Sequence, residues 1–161
     1  MITKEQFAAN IHREIDIIKH LFEKIPANQE HYKPTEQQRT ILELLGYLAN
    51  GPYRALKAIR ANDTSVFDTM QPKEVTLANF ISRMDEESLE IGKELEAMSD
   101  EEINESIDLW KNGFSFPRSQ YLLQMVLESF VAYKMQLFLY IKSAGNTDIN
   151  TSNLWQGRDN R

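Results

Sequence analysis

Between Tyr121 and Ile141 the chain has almost no polar side of its own. Leu122, Leu123, Met125, Val126, Leu127, Phe130, Val131, Met135, Leu137, Phe138, Leu139 and Ile141 fall on every side of a helix. Such a helix has to be covered from several directions. Gln124, Glu128, Lys134 and Gln136 interrupt the run, so it reads as a buried helix rather than a membrane span. It must therefore lie at the centre of a bundle or be shared with a second subunit. Pro117 suits its first position, where a missing N–H costs nothing, and Gly145 suits a left-handed stop beyond Ser143.

Three further segments supply the cover. The first opens with a capping box, Thr3 with Gln6, and carries the seam Phe7, Ile11, Ile15, Ile18, Phe22 and Ile25 until Pro26 ends it. The second opens with Thr40 and Glu43, another capping box, and buries Leu44, Leu45, Leu48, Leu56 and Ile59. Pro52, after Asn50-Gly51, predicts a kink or a fresh start in its middle. The third begins after Thr76, with Leu77, Phe80, Ile81, Met84, Ile91, Leu95 and Met98 as its seam and Ser88 as its weak spot. Asp85-Glu86-Glu87 and Glu94 with Glu96 read as a solvated acidic face. Ser99 opens a short cap-like turn, and Asn112-Gly113 marks a loop or small hairpin leading to the last helix.

The expected architecture is all-α, a four-helix bundle formed by one domain over residues 1–161, with residues 146–161 a tail pinned by Ile149, Leu154 and Trp155. Six glycines and five prolines are too few for a loop-rich β sandwich. The formal charge of −6 argues against nucleic acid or anionic membrane as a partner. No cysteine is present, which removes disulfides and thiolate chemistry and fits a reducing compartment. With no apolar stretch near Met1, the expected location is cytoplasmic.

Polar groups converge on one stripe of the last helix: Arg118, Leu122, Met125, Ser129, Tyr133, Gln136 and Tyr140, at ~100° per residue. They form either a satisfied network inside the bundle or one wall of a small pocket between helices. His12, Asp16 and His20 are spaced by four but lie ~100° to ~180° from the Ile11 seam, so they are expected to face solvent. His31 falls in a polar loop.

The order of these pieces resembles the DinB-like (YfiT-like) superfamily of metal-dependent bundle proteins. The matching residues are Leu21-Phe22-Glu23-Lys24-Ile25-Pro26, Tyr32-Lys33-Pro34, Arg39-Thr40-Ile41-Leu42-Glu43-Leu44-Leu45, the Asn-Gly loop, Ala132-Tyr133-Lys134-Met135-Gln136-Leu137 and Ser143-Ala144-Gly145. The resemblance covers nearly the whole chain. It implies three metal-binding histidines: one in the second helix after a Glu-Leu-Leu-x pattern, and two four residues apart in the last helix. Those positions here hold Tyr47, Ser129 and Tyr133.

A phenol has to lose a proton before it ligates, at a cost of about 4 kcal/mol at pH 7, and serine is a poorer donor still. The expectation is therefore a pocket of Tyr47, Ser129 and Tyr133, with Glu43, Asn50 and Gln136 as further candidates, and no metal or other cofactor. Arg54 would share that face only if the second helix ran on through Pro52. The resulting reading is a non-catalytic protein that binds a small molecule or acts by association, with a homodimer expected. The alternative is a metal-dependent S-transferase or hydrolase, as the resemblance implies, using a changed ligand set such as Glu43 with His12 or His20.

Overall fold

The computed structural model describes residues 3–159; Met1, Ile2, Asn160 and Arg161 lie outside the described residues. Its long elements are α1 (Lys4–Phe22), the pair α2 (Ile41–Leu48) and α3 (Gly51–Ala61), α5 (Phe80–Ala97), and the last helix. That last helix comprises α7 (Arg118–Tyr121), a π-helical segment (Leu122–Leu127) and α8 (Glu128–Ser143). Short α4 (Val66–Thr69), α6 (Asp100–Asn104) and α9 (Thr151–Gln156) fill the connections. The fold is all-α, with α1 against α5 and α8, α2 against α8, and α3 against α5 and the π segment. The last helix is long and apolar enough to cross a membrane by length and composition alone, but here its inner face is the core of the bundle.

Helix starts follow the local chemistry. Thr3 and Gln6 close a full capping box on α1, and Thr40 and Glu43 close another on α2. Each such cap contributes about 0.5–2 kcal/mol. Pro52 sits in the first turn of α3, so the second segment restarts there instead of merely bending. Around Asn112-Gly113 the chain forms a small antiparallel pair, β1 (Ser106–Ile107) with β2 (Phe116–Pro117). Gly113 turns it at φ +87°, with its N–H on the Asp108 carboxylate. Pro117 precedes α7 rather than opening it. Thr76 and Asn79 cap one another ahead of α5, so the helix begins at Phe80 and Leu77 stays exposed instead of joining the seam.

The acidic face expected on α5 is only partly solvated. Glu87 is 1% exposed, and its carboxyl oxygen accepts the Tyr53 N–H (3.0 Å) at the start of α3. Burial pushes its pKa up to about 8. Arg83, one turn before, pairs with Glu86 and reaches the Ala49 carbonyl at the end of α2 (3.4 Å). α5 thus clamps both sides of the α2–α3 break, with the Arg83 cation on the helix end, as the helix dipole favours, and the Glu87 carboxyl accepting a hydrogen bond at the helix start. Glu94 is likewise engaged, with Lys57 (2.9 Å) and Arg60 (2.6 Å).

The tail packs on α1. Ile149 and Leu154 are buried, whereas Trp155 is 50% exposed, with Lys134 5.1 Å from its ring centre. Gly157, at φ +61°, approaches Ile17 so closely that a side chain there would meet the helix backbone at 3.4 Å. His20 is not solvated as expected: it lies 3.0 Å from the Asn153 amide and 3.8 Å from Asp159 of the tail. His12 meets the Ser88 hydroxyl on α5.

Candidate functional site

The π segment decides what the last helix shows to α2. The Glu128 N–H bonds to Leu123, five residues back, so one extra residue enters the turn and rotates everything upstream by about 100°. The stripe read from the sequence divides there. Arg118 turns into the protein and binds the Ile59 carbonyl (3.2 Å), the Glu102 carbonyl (3.2 Å) and the Glu105 carboxylate, holding the end of α3. Leu122 and Tyr140 are buried. Met125, Ser129 and Tyr133 face a cavity of about 730 Å³ between α2, α3 and the last helix.

That cavity brings together five of the six residues expected: Glu43, Tyr47, Asn50, Ser129 and Tyr133. Gln136 is not among its lining residues; its amide donates to the Tyr140 hydroxyl (2.8 Å). Asn50 bridges the Gly46 carbonyl (3.0 Å) to the Lys73 backbone (2.8 and 3.1 Å), so it ties down the segment that closes one end. Glu43 spends one carboxylate oxygen on the Thr40 N–H (2.7 Å), which holds its pKa below the ordinary value. Ser129 donates back to Met125 (2.8 Å).

The rings of Tyr47 and Tyr133 stand 5.9 Å apart, and Tyr47 is 45% exposed. The cavity is an open cleft and not a packed-shut network. Its walls are largely apolar, with Leu42, Ala55, Phe67, Val75 and Met125 around the polar groups.

Two arginines complete it, and neither was assigned there from sequence. Arg54 lines the cleft although α3 restarts at Gly51, because the restart keeps α3 against the π segment. One of its nitrogens donates to the Phe67 carbonyl, and Nε is buried without an acceptor. Arg39, from the loop ahead of α2, lays its guanidinium 4.0 Å from the centre of the Tyr47 ring and 5.8 Å from that of Tyr133. Its place directly before the Thr40 cap was the available signal. Lys73, also in the lining, is paired with Glu86 and with Glu90 (3.1 Å).

This donor set does not fit a divalent metal. It offers two phenols, a serine hydroxyl already turned to its own backbone, an Asn50 amide and a Glu43 carboxylate both engaged with backbone groups, with a guanidinium stacked on the phenol that would have to ionise. Among the described residues, no three His, Cys, Asp or Glu side chains come together to hold an ion. His12 and His20 are engaged with α5 and the tail. A larger cavity of about 880 Å³ lies among α1, α6 and α7, lined by Phe7, Leu95, Asn104 and Leu122. Its lysine, Lys4, is committed to the Met98 carbonyl (2.7 Å).

A broken second helix, a long last helix and a cleft between them define a DinB-like helical bundle, and the chain has that fold. It resembles the Bacillus subtilis DinB-like protein YjoA, whose crystal structure superposes with a TM-score of 0.74 at 21% identity, over 90% of this chain and 96% of that one. In sequence it is 24% identical over 150 residues to "Uncharacterized protein YjoA" of Bacillus subtilis (strain 168), covering 92% of this chain and 96% of the relative. The crystal structure of a candidate DinB family member from Exiguobacterium sibiricum 255-15 superposes with a TM-score of 0.67 at 16% identity, over 93% and 97%. No protein-family profile matches the chain.

Proposed function

We propose that this protein is a DinB-like bundle that has exchanged metal ligation for small-molecule binding and does not catalyse a metal-dependent reaction. One observation carries the reading. The positions to which the resemblance assigns ligands, Tyr47, Ser129 and Tyr133, wall an open cleft of about 730 Å³ with Arg39 stacked over its tyrosines. A cleft of this size with apolar walls and a few convergent polar groups is typical of ligand sites. The rival reading, an S-transferase or hydrolase with Glu43 and His12 or His20, finds no histidine among the residues that line the cleft, and both of those histidines are engaged elsewhere.

Elemental analysis of untagged protein, purified without chelators, tests it. The expected content of zinc, nickel, iron and manganese is well below one equivalent, and one equivalent of any of them overturns the reading.

A second reading, self-association, rests on a separate observation. The outer face of α8 leaves Val131, Met135 and Leu139 exposed, Leu139 by 54%, with Leu123 in line before them. An antiparallel pairing of two copies about Met135 covers the apolar stripe. Light scattering at micromolar concentration should give twice the chain mass, and Leu139→Glu should return it to the monomer. A wild-type monomer removes this reading.

A further inference from the structure

We propose that the cleft takes a small monocarboxylate with an apolar body, anchored by Arg54 and covered by Arg39. The inference rests on the reading of the cleft as a ligand site and adds the chemical class of the ligand. Arg54 supplies the reason. It lines the cleft, pairs with no carboxylate among the described residues, and spends one guanidinium nitrogen on the Phe67 carbonyl.

A guanidinium charge without a carboxylate partner is open to one, and a carboxylate is the group whose planar geometry it matches best. Other cations near the cleft have been neutralised: Lys73 is held by Glu86 and Glu90, and the accompanying rise in its pKa comes chiefly from the Glu86 contact.

Charge balance sets the valence. Glu43 contributes one fixed negative charge to the lining, held by the Thr40 N–H. Arg54 and Arg39 contribute two positive charges without carboxylate partners among the described residues. The remainder is one positive charge, which suits a single carboxylate and disfavours both dications and dianions. The rest of the wall prescribes the body. Leu42, Ala55, Phe67, Val75 and Met125 accept an aliphatic or aromatic group, and Tyr47 with Tyr133 offers ring faces to it. Arg39, resting on those rings at the rim, can swing over a bound anion without breaking an ion pair.

Isothermal titration of the full chain with 4-phenylbutyrate and with its uncharged counterpart 4-phenylbutan-1-ol, at low ionic strength, tests the assignment. The carboxylate should bind at least about tenfold more tightly, the ratio expected of one charge-assisted pair. Arg54→Gln should bring the ratio close to one, while Arg54→Lys retains part of it and Arg39→Ala loses only a few-fold. Equal binding of the two probes to the wild type overturns the monocarboxylate assignment but leaves the cleft a ligand site. Binding of neither probe overturns both. A ratio unchanged in Arg54→Gln overturns the anchor. Should that variant fail to fold, the side-chain Nε–H resonance of Arg54 in the wild-type protein decides: it should shift on adding 4-phenylbutyrate, and a resonance that stays put refutes the role.

Discussion

On the α5 side of the break between α2 and α3, ionisable side chains hold the backbone together: the charged Arg83 serves the end of one helix and the buried, protonated Glu87 the start of the next. On the other side, Arg54 stands in a cleft and Arg39 over its tyrosines, and neither pairs with a carboxylate among the described residues. The same residue types are thus put to opposite uses. Where a charge is buried with its partner, it fixes geometry and its loss should be felt in stability. A charge left unpaired beside open space contributes little to the fold, and its value lies in what it can bind. The difference teaches that engagement by the protein's own groups, more than burial, separates the scaffold from the candidate site in this bundle.

The sharpest way to break that contrast is to remove a committed charge. Lys134 is 1% exposed and touches Glu14 at 2.5 Å between α8 and α1, with no other polar partner for either atom. Lys134→Met should destabilise the protein by about 3–5 kcal/mol in urea denaturation, because Glu14 is left as an uncompensated buried charge. The double variant Lys134→Met with Glu14→Leu should recover most of the loss, since two apolar groups replace a pair whose desolvation cost nearly matches its attraction. A single variant costing under about 1 kcal/mol would end the idea that partnered charges carry the scaffold.

Next in size is a pH effect at the junction. Glu87 has its pKa raised by burial from 4.5 to about 8, so the folded state holds a proton that the unfolded chain releases above pH 4.5. The stabilisation is therefore fully present below pH 4.5, declines as pH rises towards 8, and is gone above it. Stability should fall by a few kcal/mol over that window. Glu87→Gln, which stays neutral and can still accept the Tyr53 N–H, should flatten this slope. A slope identical in wild type and variant would show that the carboxyl stays ionised and α5 clamps the break by another means.

These buried charges were more legible than they first look. Glu87 falls in step with Phe80, Met84 and Ile91, Glu14 with Phe7, Ile11, Ile18 and Leu21, and Lys134 with Phe130, Leu137 and Ile141. Each stands where the four-three spacing places a core residue, yet residue type alone reads as solvent-facing. Helix starts were plain because capping is local: Thr3 with Gln6, Thr40 with Glu43, and the Pro52 restart all followed from neighbours a few residues apart. The π segment has no such mark, since no glycine or proline announces it, and it turned Arg118 away from the stripe it was expected to share with Ser129. Arg54 and Arg39 reach the cleft only through packing of separate elements, which periodicity within one helix cannot report.

The smallest expected effect completes the contrast. Arg39→Ala should change stability by no more than about 1 kcal/mol, the worth of a half-buried cation over an aromatic face, because no ion pair is broken. Arg54→Gln should stay within about 1 kcal/mol: it loses one bond to the Phe67 carbonyl but also removes a buried Nε–H that has no acceptor. Both should nonetheless alter the cleft, read as a change in near-ultraviolet circular dichroism from Tyr47 and Tyr133, whose rings the Arg39 guanidinium overlies. If either arginine proves as costly to remove as Lys134, it is part of the scaffold after all. The unpaired charge at the cleft would then be a packing device, and the distinction between the two sides of the break would fail.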